Sequence, residues 1–202
     1  MGPECPLPGV GRVPSARPPQ VGSRRTNRGS VENTEEGAAG LADLRRRVRR
    51  TEDVLAIQHL KARYAELVDA RYRRGALVPE DRMSELTEEI AGLFTEDGEW
   101  DGGPVLGRSN GRRAIAERLA HPTLLFSRHL FVNPQIQVDG DEAWARWELL
   151  CPCTTADGRP HWMSGYEEDR YVRQDGRWLH ARMRLTTVFF APVGDGWPDI
   201  LA

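Results

Sequence analysis

Residues 143–154 read AWARWELLCPCT, and the period of this stretch decides the fold class. Apolar and polar side chains alternate along it, as they do on a β-strand with one buried face. The predicted strand has an inner face with Ala145, Trp147, Leu149 and Cys151 and an outer face with Trp144, Arg146 and Glu148. We expect the inner face to line a pocket, and the outer face to suit a dimer interface, where Trp and Arg are enriched.

Further strand-like runs flank this stretch, at residues 125–138, 161–173 and 178–190. Asp-Gly turn signals separate the runs, at residues 139–141, 157–158 and 175–176. Glycine adopts positive φ easily and aspartate bonds to nearby backbone amides, so each signal predicts a tight hairpin turn. Consecutive hairpins predict an antiparallel sheet.

Helical periodicity precedes the strands. Residues 52–72, EDVLAIQHLKARYAELVDARY, carry apolar residues at steps of three and four, which predicts an amphipathic helix that begins after a break near a capping Thr51. Shorter helices are predicted at 83–94 and 111–120, with a short strand at 99–103. Helices followed by a long meander predict the α+β class, with the helices packed on one face of a curved antiparallel sheet that encloses a pocket.

The N-terminal region differs from the rest in composition. Residues 1–50 contain ten arginines and five acidic residues, and residues 1–40 are rich in Pro, Gly and Ser without an apolar period. We therefore predict a disordered basic tail at 1–40 and a folded domain at 41–202. No apolar run follows the arginine pair at 24–25, so an export signal is not expected and the cytoplasm is the predicted compartment.

Composition and motifs exclude several classes of function. A net charge of -2 over 202 residues gives no global field that would hold nucleic acid. No segment approaches the roughly 18 apolar residues that span a bilayer, so neither nucleic acid nor membrane is an expected partner. The sequence also lacks the G-x-G-x-x-G, Walker A, G-x-S-x-G and H-E-x-x-H motifs.

The cysteines do not favour a metal site. Cys151 and Cys153 lie two residues apart, with His161 further along the chain, whereas zinc sites usually begin C-x2-4-C and need four ligands. Residues i and i+2 of a strand share a face, so both thiols are predicted to be small core or pocket residues. We expect no metal and no cofactor.

Three titratable residues fall on faces that should be apolar. Tyr64 lies in the centre of the helical stripe, Asp69 lies near the predicted carboxyl end of the helix, and His129 shares a strand face with Phe131 and Asn133. A histidine with a phenol and a carboxylate nearby supplies a base, a hydrogen-bond donor and an anion that fixes the imidazole tautomer. From these residues alone, the alternative stays open, since a lone histidine in a sheet is more often a structural hydrogen-bonding residue and Tyr64 could be an ordinary core tyrosine.

Several blocks together resemble the SnoaL-like branch of the NTF2-like superfamily, over about residues 52–197. The blocks are 64–69 (YAELVD), 93–100 (LFTEDGEW), 128–134 (RHLFVNP), 138–143 (VDGDEA), 165–173 (GYEEDRYVR) and 175–178 (DGRW). The resemblance implies a cone of helices closed by a curved sheet. It implies less about activity, because this fold carries both enzymes and non-enzymes.

Within that branch the pattern is nearest to the scytalone dehydratases and bile acid 7α-dehydratases. Their catalytic tyrosine, aspartate and histidine correspond by motif to Tyr64, Asp69 and His129. The resemblance also implies an aspartate on the next strand, where this chain has Cys151. A neutral thiol does not hold a histidine as a carboxylate does, so the specific dehydratase reaction is open.

Our leading hypothesis is a cofactor-independent lyase, isomerase or cyclase that acts on a polycyclic, polyketide or terpenoid-type small molecule in secondary metabolism. The predicted substrate-lining residues are Leu60, Phe94, Trp100, Asn133, Trp147, Leu149, Cys151, Trp162 and Tyr166. The alternative is a non-catalytic module, such as the β subunit of a ring-hydroxylating dioxygenase. Both hypotheses predict a homodimer or homotrimer.

Overall fold

The computed structural model describes the backbone of residues 29–194 and the side chains of residues 37–194. The chain divides into one unit that ends at Ala42 and a second that begins at Asp43, and the fold below is that of the second. Residues 1–28 of the predicted tail lie outside the described residues. The rest of the predicted tail differs from the expectation, because its backbone is helical from Gly29 onward.

Four helices are present in the described residues. Their bounds are α1 at Gly29–Asp69, α2 at Glu80–Ala91, α3 at Gly103–Leu106 and α4 at Arg112–Ala120. The predicted break near residue 51 is wrong, and α1 continues through it. The Thr51 hydroxyl donates to the carbonyl of Arg47 at 3.0 Å, four residues back, so it bonds within the helix and does not cap a new one.

Nine strands are present in the described residues, and the four longest follow the predicted strand-like runs. Their bounds are β1 at Tyr72–Arg73, β2 at Ala76–Leu77, β3 at Phe94–Asp101, β4 at Arg108–Asn110, β5 at Phe126–Ser127, β6 at Leu130–Asp139, β7 at Glu142–Thr154, β8 at Pro160–Gln174 and β9 at Arg177–Pro192. Strands β1 and β2 form a separate pair. The turns at residues 140–141, 157–158 and 175–176 join the long strands as predicted.

One curved sheet carries the seven remaining strands. The order is β4-β3-β9-β8-β7-β5, and β6 also pairs with β7. All pairings are antiparallel except that of β3 with β9, which is parallel. The sheet is therefore mixed, where the sequence analysis predicted a purely antiparallel one, because β3 is separated from its neighbour β9 by the whole meander. The α+β class and the packing of helices against a curved sheet are confirmed.

The core lies between α1 and the concave face of the sheet. Ile57 of α1 packs with Trp147 and Tyr171 of the sheet, while Tyr64 packs with Phe94 of β3. The inner face predicted for β7 is confirmed: Ala145, Trp147, Leu149 and Cys151 are all buried. Outside, Trp144 is 45% exposed. The predicted homodimer or homotrimer stays a prediction.

A bulge in β6 reverses the face on which Asn133 lies. Its φ is +51°, and the pairing with β7 shifts between Val132 and Gln135. Inward residues are therefore odd-numbered before the bulge, as Phe131 is, and even-numbered after it, as Ile136 is. Asn133 itself is exposed, so the prediction that it shares a pocket-facing side with His129 is wrong.

A second bulge predicts a position that tolerates only glycine. The register of β8 against β9 shifts between Ser164 and Gly165, and a Cβ on Gly165 would lie 2.2 Å from the backbone oxygen of Thr186. Gly165→Ala should therefore lower the free energy of unfolding by about 1 to 3 kcal/mol in urea titrations. The control is Gly37→Ala, because nothing lies within 4 Å of its Cβ on α1. Equal stability of the two variants would contradict the prediction.

Candidate active site

A carboxylate at the end of α1 holds the histidine that precedes β6. The Asp69 Oδ1 atom lies 2.8 Å from Nδ1 of His129, and the backbone N–H of His129 donates to both carboxylate oxygens at 3.1 and 3.2 Å. An acceptor at Nδ1 places the ring hydrogen there, which leaves the Nε2 lone pair as the base. Among the described residues, Nε2 has no hydrogen-bond partner.

The charge of Asp69 has one further neighbour. The Arg128 Nη1 atom lies 3.4 Å from Oδ2 of Asp69, but the Arg128 side chain is 65% exposed whereas that of Asp69 is buried. Solvent therefore screens this ion pair, and the histidine contact is the closer one. The sequence analysis grouped Asp69 with His129, and in the structure their side chains are hydrogen-bonded.

The phenol of Tyr64 is the third predicted group. Tyr64 is 3% exposed, and its hydroxyl oxygen accepts a hydrogen bond of 2.9 Å from the indole N–H of Trp100. Burial raises the pKa of Tyr64 well above its ordinary value, and the charge of Glu167 adds to this. The hydroxyl therefore keeps its proton, which has no acceptor among the described residues, and it can donate to a ligand.

Two small cavities meet at these residues. The first, called here the Arg71 cavity, has a volume of about 60 Å³, and the second, the Glu167 cavity, has about 20 Å³. The residues that line both are Tyr64, Trp100, Leu106, His129 and Met163. Asp69 lies behind His129 and lines an outer groove between α1 and β6. Tyr64 and His129 thus share a cavity, and Asp69 supports His129 from the far side.

The other predicted lining residues are dispersed. Leu149 lines the Glu167 cavity, and Trp147 lines the outer groove. Phe94 is fully buried in the core, and Leu60 packs on the cluster around Ile57. None of these four lines the Arg71 cavity.

Trp162 and Tyr166 lie on the outer face of β8, so their predicted place in the pocket is wrong. They alternate with Met163, Gly165 and Glu167, which are buried on the inner face. Tyr166 instead stacks on the guanidinium of Arg146, whose Cζ lies 3.6 Å from the ring centroid. The prediction placed Trp162 and Tyr166 in the pocket because they are aromatic, but the alternation of side chains along β8 puts both on the outer face.

Cys151 is fully buried on β7, near Asp69 and the backbone N–H of Arg128. Its contact with Cys153 and its burial both raise the pKa of the Cys151 thiol, while the nearby Arg128 backbone N–H lowers it and the charge of Asp69 raises it. The thiol is therefore neutral. It supplies no second carboxylate near His129, and Asp69 remains the group that orients the imidazole.

Sequence reasoning missed a buried charge network beside the cavities. Lys61 of α1 is 1% exposed, and its Nζ bonds to Glu167 and, at 2.7 Å, to Asp169 of β8. Asp169 also accepts a hydrogen bond of 2.7 Å from the Tyr171 hydroxyl. Burial lowers the pKa of Lys61, but the charges of Asp169 and Glu167 outweigh it and leave that pKa above its ordinary value. Lys61 therefore stays charged.

Spacing could have revealed this network. Lys61 lies four residues after Ile57 and three before Tyr64, so it occupies the inward stripe of α1. On β8, Glu167 and Asp169 share the parity of the buried Met163. A lysine on an apolar helix stripe together with two carboxylates on a buried strand face is the signal of a paired internal charge.

His180 of β9 is a further buried polar group beside this network. It is fully buried, its ring stacks on Phe94 with centroids 5.0 Å apart, and neither ring nitrogen has a hydrogen-bond partner among the described residues. Its Nδ1 lies 3.9 Å from Asp169, which is too far for a hydrogen bond. Burial, with the charge of Lys61, lowers the pKa of His180 well below its ordinary value.

A model of the SnoaL-like domain matches residues 49–184. The chain belongs to this family. Its α+β architecture, with helices against a strongly curved sheet, is the NTF2-like fold. The family resemblance read from the sequence is confirmed. No functionally curated protein matches the chain.

Solved structures similar to this SnoaL-like chain include lyases. A protein of unknown function from Mycobacterium tuberculosis is 30% identical, with a TM-score of 0.53, over 69% of this chain and 73% of its own. The hexachlorocyclohexane dehydrochlorinase LinA, type 2, is 20% identical with a TM-score of 0.60, over 74% and 94%. A scytalone dehydratase-like protein from Novosphingobium aromaticivorans is 24% identical with a TM-score of 0.57, over 73% and 97%. These last two likenesses establish the shared fold.

Two further observations concern the described part of the SnoaL-like chain. None of its helices combines the length and apolar content needed to cross a bilayer. Within residues 37–194, no three or more His, Cys, Asp or Glu side chains are grouped as a metal site would require.

Removing the buried lysine should destabilise the SnoaL-like domain. Lys61→Met leaves Glu167 and Asp169 buried without their cation, so the free energy of unfolding should fall by about 3 to 5 kcal/mol in urea titrations. Arg63→Met is the matched control, because Arg63 pairs with Glu66 on the exposed side of the same helix. A Lys61→Met variant as stable as Arg63→Met would contradict the assigned pairing.

The neutral His180 should make stability depend on pH. Its folded pKa is depressed, so its contribution is present above about pH 6.5 and is lost as the pH falls, when the unfolded histidine binds a proton. Burial raises the pKa of Asp169 to about 6. The stability that this group contributes is therefore lost as the pH rises through 6, which is the opposite pH dependence to that of His180. His180→Phe should remove only the histidine contribution.

From pH 7.5 to 5.5, the unfolding free energy of His180→Phe should therefore gain up to about 1.4 kcal/mol relative to the wild type. The measurement is urea unfolding at both pH values. A constant difference between the two proteins would show that His180 is not held neutral.

Proposed function

We propose that this protein is a cofactor-independent lyase that removes a proton from a carbon next to a carbonyl group and expels a leaving group from the neighbouring carbon. The observation that carries the proposal is His129, which lines the Arg71 cavity with its Nδ1 held by Asp69 and with Nε2 unpartnered among the described residues. A histidine oriented in this way is a general base.

Each group has one role in the proposed reaction. Nε2 of His129 takes the carbon-bound proton, and the electron pair moves onto the carbonyl oxygen as an enolate. Tyr64 donates its hydrogen bond to that oxygen, as an oxyanion donor does. The enolate then expels hydroxide from the neighbouring carbon, and the imidazolium returns its proton so that water leaves. Asp69 stabilises the imidazolium in between.

Cavity size bears on the substrate class. Small-molecule sites usually measure roughly 300 to 1,000 Å³, and the cavities at Tyr64 and His129 measure about 60 and 20 Å³. For the polyketide or terpenoid-type compounds of secondary metabolism predicted from the sequence, we therefore propose that only the reacting end enters. A polycyclic body would lie outside, toward the loop at residues 121–125.

Dehydration of small β-hydroxy ketones tests the proposal, because the enone product absorbs in the ultraviolet. His129→Ala should lower kcat/KM about 10²- to 10⁴-fold, and Tyr64→Phe should lower kcat by removing one hydrogen-bond donor. The matched controls are His59→Ala, on the exposed side of α1, and Tyr166→Phe, on the outer face of β8. Both controls should keep wild-type turnover.

Undiminished turnover in His129→Ala would contradict the proposed base. A wild-type protein that binds these ketones without dehydrating them would favour the alternative, a non-catalytic ligand-binding or subunit role.

A further inference from the structure

The Arg71 cavity has arginine side chains but no carboxylate among its described lining residues. Two arginines, Arg71 and Arg118, line it together with Tyr64 and His129, and no aspartate or glutamate is among its described lining residues. Two carboxylates, Asp101 and Glu167, line the neighbouring Glu167 cavity. Each of those is already paired, with Arg108 and Lys61 respectively.

Arg71 is the buried member of this pair of arginines. It is 6% exposed and follows the end of α1. Its Nε donates to the carbonyl of Val68 at 3.0 Å, and its Nη1 donates to the carbonyl of Leu119 at 2.7 Å. A guanidinium has five N–H donors, so these two bonds fix its position and leave three donors without an acceptor among the described residues.

No carboxylate of the described residues lies within ion-pair distance of Arg71, whereas Lys61, the other buried cation near the site, has two. A buried charge without a counter-ion is costly, and a planar fork of donors matches a carboxylate in two parallel hydrogen bonds. The charge of Arg71 also reaches the site, because it lowers the pKa of Tyr64 against the larger opposite effect of burial.

We propose that the Arg71 cavity binds a substrate that carries a carboxylate, and that the Arg71 guanidinium binds this group. The carboxylate is an anchor, separate from the carbonyl that Tyr64 contacts, and Arg118 at the rim attracts it electrostatically. The proposal rests on the proposed function in one respect, namely that this cavity is the substrate site. It adds the substrate class: small keto or hydroxy-keto acids, or larger molecules that end in one.

Binding of propanoate tests the proposal without turnover, because its size suits a cavity of about 60 Å³. The neutral isostere propanamide is the ligand control. In a ¹H–¹⁵N NMR titration at constant ionic strength, propanoate should shift the resonances of cavity residues in a saturable way, and propanamide should not. Arg71→Gln should weaken propanoate binding by about tenfold or more, as expected for the loss of a charge-assisted hydrogen bond.

Arg113→Gln is the matched control variant. It removes one positive charge from an exposed position on α4 that does not line the Arg71 cavity, so propanoate binding should change less than about twofold. If Arg71→Gln does not fold, the wild-type Nε–H resonance of Arg71 gives the same answer, since it should move with propanoate and stay in place with propanamide.

Three results would overturn the proposal: no propanoate-dependent shift at the cavity, equal binding of propanamide, or wild-type affinity in Arg71→Gln. His129→Ala separates this proposal from the proposed lyase, because that variant should lose turnover and still bind propanoate. Loss of turnover in His129→Ala without propanoate binding to the wild type would keep the lyase and reject the carboxylate. Propanoate binding to the wild type, together with undiminished turnover in His129→Ala, would keep the carboxylate site and reject His129 as the base.

Discussion

The ion pairs of Lys61 with Glu167 and Asp169 connect α1 to the centre of the sheet, and the rest of the inner structure depends on them. A lysine at this point of the helix is stable only because two carboxylates of β8 face it. Its Nζ also lies 4.2 Å from the centroid of the Phe131 ring, so β6 is held against the same charge. These contacts fix where α1 crosses the strands, and therefore where its next two turns lie.

Those two turns carry the polar groups of the site. One turn beyond Lys61, Tyr64 reaches Trp100, and at the end of the helix Asp69 reaches His129. Trp100 comes from β3 and His129 from the two-residue link between β5 and β6, and both are distant in sequence from α1. A carboxylate fixed at a helix end and an imidazole fixed by its own backbone N–H need little reorganisation when a proton moves, which is the condition that makes a general base efficient.

Local periodicity predicted most of the fold but not all of the site. The alternation in β7 placed Trp147, Leu149 and Cys151 correctly, because the charged residues Arg146 and Glu148 share the opposite face. On β8 both faces mix aromatic and charged residues, so parity alone did not choose between Trp162 and Met163. The inner face became clear only with Lys61, which lies more than a hundred residues earlier in the chain. The bulge at Asn133 interrupts the alternation along β6, so periodicity could not predict it.

Tyr64 lies near charges of both signs, and these charges link stability to chemistry. The Lys61 network places two carboxylates and one ammonium group in the core. Arg71 and Arg118 place guanidinium groups at the Arg71 cavity. The deep carboxylates favour the protonated, hydrogen-bond-donating form of Tyr64, since negative charge nearby raises the pKa of the phenol. Arg71 opposes this by stabilising negative charge on any oxygen bound beside it. Tyr64 therefore lies where a donor that keeps its proton meets a region that favours an anion, and that combination suits the enolate of the proposed reaction.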